Sequence, residues 1–131
     1  MLHASAVKDL DTVFATVARL QSGGLVIGSD PFFNSQSKQL AALAIRHAVP
    51  TVYQYREFAA AGGLMSYGGS LTGMYHQFGV QTGRILTGEK PADLPVRQAT
   101  KVELIINMKT AKALGLTVPL PLIGRADEVI E

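Results

Sequence analysis

Leu25-Val26-Ile27-Gly28-Ser29-Asp30-Pro31-Phe32-Phe33-Asn34 is a short apolar run that breaks abruptly into polar and aromatic residues just before a helical pattern begins. The pattern predicts a buried strand over residues 25–28 that empties into a loop. In open α/β sheets ligands are met in the crevice beyond the carboxyl ends of the strands. Ser29, Asp30, Phe32, Phe33 and Asn34 therefore stand where a ligand would be held. The same residues also suit a capped turn, with Asp30-Pro31 as turn chemistry, Phe32 in the core and Asn34 or Ser35 capping the next helix.

Working outward, Leu10, Val13, Phe14, Val17 and Leu20 recur at helical spacing after Ser5, a candidate N-cap, and Gly23-Gly24 closes that segment. Residues 35–48 resume the helical period through Leu40, Leu43 and Ala44, and Pro50-Thr51-Val52-Tyr53 supplies the next strand after a proline that ends the helix. Residues 55–61 read as one or two helical turns, stopped by Gly62-Gly63, and Leu64-Met65-Ser66-Tyr67 as a third strand. The clearest pattern follows: Leu71, Met74, Tyr75, Phe78, Thr82, Ile85 and Leu86 hold one face of a helix that runs from Ser70 to Gly88. A loop turned by Pro91 and Pro95 leads to a strand over residues 102–107. Asn107 is placed to cap a helix from Met108 to Leu114, with Gly115 as its C′ residue. A last helix is expected after Pro119 or Pro121, carrying Leu122, Ile123, Ala126, Val129 and Ile130. Strands alternating with helices at this spacing predict an α/β fold, a mostly parallel sheet flanked by helices on both faces.

Composition narrows the function classes. A chain of 131 residues that is 47% hydrophobic makes one domain, residues 1–131, with its own core. Its net charge is only +2, and its Lys and Arg are scattered without aromatic interleaving, so no nucleic-acid surface is expected. The absence of cysteine excludes disulfides and thiolate metal sites. No stretch reaches membrane-spanning length, so no direct membrane insertion is expected, and Met1-Leu2-His3-Ala4-Ser5 has neither the basic start nor the apolar run of an export signal.

The candidates for chemistry are few. Gly63-Leu64-Met65-Ser66-Tyr67-Gly68-Gly69-Ser70 has the spacing of a phosphate loop, but Gly69 stands where that motif needs lysine, which argues against nucleotide hydrolysis. Backbone amides there suit a carboxylate or other anion, and the two glycines equally suit a tight hinge. His3, His47 and His76 lack metal-ligand spacing, so no metal is expected. Ser29, Ser66 and Ser70 lack a nucleophile-elbow context, and no catalytic set or cofactor is expected. Tyr53-Gln54-Tyr55-Arg56-Glu57-Phe58 places aromatics, an arginine and a carboxylate at the same sheet edge as Asp30. Arg56 there suits either a ligand carboxylate or an ion pair with a neighbour.

Several stretches together carry a family resemblance: Gly24 through Asn34, Tyr55-Arg56-Glu57-Phe58, Gly62 through Gly68, Gly88-Glu89-Lys90-Pro91-Ala92-Asp93-Leu94-Pro95, and Glu103 through Gly115. They resemble the substrate-binding proteins of ABC transporters, in the subgroup related to tryptophan and tyrosine importers. The resemblance implies the C-terminal lobe of a bilobed type I periplasmic binding protein, a flavodoxin-like unit that lacks the first lobe and the signal peptide. It implies a periplasmic setting, a small-molecule ligand and an ABC permease as partner; the chain as written has no signal peptide and would stay cytoplasmic if expressed so. The ligand implied is a small organic solute such as an aromatic amino acid or a carboxylate. The candidate ligand residues are Ser29, Asp30, Phe32, Asn34, Tyr55, Arg56, Ser66, Tyr67 and Gly68. The alternative is a free-standing flavodoxin-like enzyme or signalling module, which the missing catalytic constellation disfavours. By the same resemblance residues 68–69 are a hinge, and the helix over 70–88 carries an apolar face that a second copy would cover, giving a homodimer.

Overall fold

The computed structural model describes residues 1–95 and 101–131. Helix α1 (Val7–Arg19) leads into strand β1 (Leu25–Val26), the short helix α2 (Pro31–Ser35), helix α3 (Ser37–Arg46) and strand β2 (Thr51–Tyr53). Helix α4 (Arg56–Ala60), strand β3 (Met65–Gly69) and the long helix α5 (Leu71–Leu86) follow, then strand β4 (Val102–Asn107), helices α6 (Met108–Ala113) and α7 (Leu120–Ile123), and strand β5 (Glu128–Ile130).

The five strands form one sheet in the order β1-β2-β3-β4-β5. Every neighbouring pair is parallel except β3 with β4, which run antiparallel from Met65 opposite Ile106 to Gly69 opposite Val102. The connections from β2 to β3 and from β4 to β5 are crossovers between parallel strands. Because β4 runs against β3 and such crossovers are right-handed, α4 falls on one face of the sheet and α6 with α7 on the other. Packing follows this division. One apolar cluster joins Leu10, Phe14 and Val17 of α1, Leu40 of α3 and Phe58 of α4 to Ile27 and Tyr53. A second joins Ala111 of α6 and Leu122 and Ile123 of α7 to Ile106, Met65 and Leu104. The mostly parallel sheet with helices on both faces is as expected.

Asn107 joins the two halves. Its Oδ1 accepts the Thr110 amide at 3.1 Å and so caps α6, while its Nδ2 donates to the Ala59 carbonyl of α4 at 3.0 Å. Thr110 Oγ1 donates to the Gly62 carbonyl at 2.8 Å, which satisfies a further acceptor beyond the same helix end. Gly115 has φ of +68°, the left-handed C′ conformation that ends α6.

Four expectations are corrected. Strand β1 is not fully buried: Val26 is 78% exposed, because among the described residues no helix packs on that face of β1, opposite the buried Ile27. The cap of α1 is Ala6 rather than Ser5, and the Asp9 carboxylate accepts the amides of Ser5 and Ala6. Neither Asn34 nor Ser35 caps the second helical segment; Asp30 caps α2, with its Oδ1 accepting the Phe32 amide at 2.8 Å, and α3 starts from Gln36. Val129 and Ile130 belong to β5 and not to a last helix, which ends at Ile123. The apolar spacing there fits either period; pairing with Ile106 and Asn107 decides for the strand.

Removing the Asn107 side chain loses a cap and a buried hydrogen bond together. Asn107→Ala is expected to lower stability by about 2 to 3 kcal/mol in urea unfolding, with an unchanged far-ultraviolet spectrum before the transition.

Candidate functional site

The carboxyl ends of β1, β2 and β3 share one edge because the three strands run parallel. The chain leaves β1 through Ser29 and Asp30, both exposed, and turns into α2 with Pro31 at its first position. Leaving β2, Tyr53 donates its hydroxyl hydrogen to Asn34 Oδ1, which fastens α2 to the next strand. Burial pushes the Tyr53 phenol above its ordinary value, so it remains a donor at neutral pH. Tyr53 also packs edge-on against Tyr55 and Phe58, at ring separations of 6.2 and 5.8 Å.

The nine candidate residues do not converge on one cleft. Asp30 and Phe32 line a concavity of about 390 Å³ together with Phe33 and the N-terminal residues Leu2, His3, Ala4 and Ser5. Asn34 and Arg56 line a separate, more open one between the start of α3 and α4. Tyr55 is buried in the first apolar cluster. Ser66 is 1% exposed and sits opposite Tyr53 and Ile105 in the sheet; its hydroxyl has no hydrogen-bond partner among the described residues. Tyr67, on the opposite face, is 63% exposed. Gly68 is packed so closely on the Gln54 carbonyl that a Cβ there would collide with backbone, a reason for glycine that is independent of any ligand. Gly68 and Gly69 pair with Glu103 and Val102, so the two residues read as a hinge are the last of β3, directly before Ser70 caps α5.

Arg56 is engaged within the chain. Its Nε and Nη2 bond to the two oxygens of Glu128 on β5 at 2.7 and 2.6 Å, a bidentate pair that spans 72 positions of sequence. The carboxylate raises the Arg56 guanidinium further, and the guanidinium holds Glu128 below the usual carboxylate value. Glu128 was invisible as a partner in the sequence because its segment reads as helix. Among the described residues no three His, Asp or Glu side chains gather to hold a metal ion.

The pair carries a pH signature. Glu128 is depressed from 4.5 in the folded chain, so its contribution is complete above that value and is lost as pH falls through the folded value. Both side chains are more than a third exposed, and screening limits the contribution to at most about 1 kcal/mol. Glu128→Gln is expected to lower urea stability slightly at pH 7, the difference is expected to shrink as pH is lowered below 4.5 through the folded value, and high salt is expected to shrink the pH 7 difference.

The fold has counterparts among solved structures. A conserved domain protein from Vibrio cholerae O1 biovar El Tor superposes with a TM-score of 0.78 at 26% identity, over 96% of this chain and 43% of that one. An ABC domain from Streptococcus pneumoniae, solved in complex with L-Trp, superposes with a TM-score of 0.85 at 21% identity, over 98% of this chain and 43% of that one. The ligand-free, open structure of a substrate-binding protein with adhesive properties from Clostridium difficile gives 0.63 at 19% identity, over 97% and 42%. The chain thus spans less than half the length of each. No curated protein sequence matches it. The family model described as ABC transporter substrate binding protein matches residues 1–130, and on that match the chain belongs to the ABC transporter substrate-binding protein family.

Proposed function

We propose that this chain is a ligand-binding lobe, corresponding to the C-terminal lobe of a type I periplasmic binding protein, which holds a small organic solute for an ABC importer and performs no chemistry on it. The family match carries this reading. The strand-end edge supports it, since the exposed Ser29, Asp30 and Tyr67 lie where such folds meet ligands. The permease is the protein partner that this role requires, and the periplasm is its setting. An aromatic amino acid is the first ligand to test, because the pneumococcal neighbour was solved with L-Trp. Among the described residues no helix is long and apolar enough to cross a membrane.

Helix α5 bears on assembly. None of its residues is buried, and Tyr75, Phe78, Ile85 and Leu86 are exposed along one face. Fully burying one such large side chain is worth about 1.5 to 3 kcal/mol, so this face gains much from a cover. We infer that a second copy provides it when these residues are expressed alone.

Two measurements check these readings. Titration of the chain with L-tryptophan and L-tyrosine, followed by amide NMR, is expected to move residues 29–34 and 67 with weak affinity, because a single wall encloses little of a ligand. Shifts confined to residues elsewhere would sink the site. Sedimentation at micromolar concentration is expected to show a dimer that Phe78→Glu dissociates; a monomeric parent chain would end the dimer reading.

A further inference from the structure

We propose that the free edge of β1 is a docking site for an extended peptide strand of another protein, one that carries an apolar side chain at every second position. This surface is separate from the strand-end edge: it runs along the side of the sheet and borders α1. Two observations carry it, the direction of the β1 backbone groups and the lining of the concavity beside them.

β1 is the outermost strand of the sheet and pairs with β2 alone. The amides of Leu25 and Ile27 donate inward, to the carbonyls of Pro50 at 2.8 Å and Val52 at 3.0 Å. Backbone groups alternate in direction along a strand, so the N–H and C=O of Val26 point outward, and those of Gly24 and Gly28 with them. Among the described residues no backbone partner takes these groups. No proline or charged side chain guards residues 23–28. A Cβ added at Gly23 or Gly28 meets no atom within 4 Å, so a second backbone reaches this edge unobstructed.

The concavity alongside has a volume of about 570 Å³, and Val13, Phe14, Val17 and Leu20 of α1 line it together with Leu25 and Ile27. No Asp, Glu, Lys or Arg is among its lining residues. Val26 points to the other face of the sheet. Edge and lining together select the occupant. Unpaired N–H and C=O groups are matched by another extended backbone, which neither a helix, with its backbone bonds spent internally, nor an acyl chain, with no such groups, supplies. An added strand turns alternate side chains toward α1, where the lining accepts apolar ones and holds no countercharge for a charged one.

The test uses the full 131-residue chain and three capped peptides of equal length. One alternates valine with threonine, the second is the same peptide N-methylated at every residue, and the third has lysine in place of valine. In amide NMR the valine–threonine peptide is expected to move residues 13–28 saturably and to slow hydrogen exchange at Val26 and Gly28, with the other two peptides roughly tenfold weaker or more. Val26→Pro removes the outward N–H without touching a bond to β2, and proline is tolerated in an edge strand; it is expected to weaken the valine–threonine peptide by a similar factor. The N-methylated peptide puts the same question to the unmodified chain, so the answer does not depend on the variant folding. Equal binding of the N-methylated or the lysine peptide, a folded Val26→Pro chain of unchanged affinity, or no shifts at residues 13–28 with any peptide would overturn the proposal.

Discussion

The bonds made by Asn107 hold together a fold whose core is in two pieces. One apolar cluster lies among α1, α3, α4 and the first two strands, and the other among α6, α7 and the β3–β4 pair. A carboxamide has both a donor and an acceptor, and Asn107 uses each on a different cluster's helix: the donor on the end of α4, the acceptor on the start of α6. The site is 5% exposed, so neither bond competes with water. An apolar residue of similar size would fill the space but leave the Ala59 carbonyl and the Thr110 amide without these partners, and buried polar groups left in that state are costly. Position 107 thus fixes how the two crossovers sit on opposite faces of one sheet.

The same economy shapes the strand-end edge. Glu128 enters from the last strand to neutralise Arg56, which closes the chain's C-terminal segment over α4 and removes a cation from the edge. Asp30 forms no ion pair among the described residues, and its cap bond holds α2 in place.

Much of this was legible in the residues. The order of strands and helices, the cap at Asn107 and the exposed face of α5 follow from local periodicity and turn chemistry, because each is decided within a few residues of its own sequence. Three features were not. The run from Leu120 to Ile130 fits helix and strand alike, and only pairing with β4 separates them. The Arg56–Glu128 pair depends on that same strand, so misreading one hid the other. The exposure of Val26 reflects which face the crossovers cover, a property of topology that no window around residues 25–28 contains. Of the nine candidate ligand residues, Ser29 and Asp30 are exposed beyond the end of β1, whereas Tyr55 and Ser66 are drawn inward by packing against elements distant in sequence.

The two clusters follow one another along the chain, overlapping only around β3. Among the described residues, every side chain of the first cluster, including the partly buried Leu71, lies at or before residue 71, and every side chain of the second lies between Leu64 and Ala126. A ribosome making this chain from its N-terminus therefore delivers the whole of the first cluster before α5 has been extended, and domains fold in that direction as they emerge. β3 is the one strand that both halves share, since it pairs with β2 on one side and β4 on the other. It closes the first half and then presents its free edge as the template on which the second is laid down, so the order of translation and the order of assembly coincide.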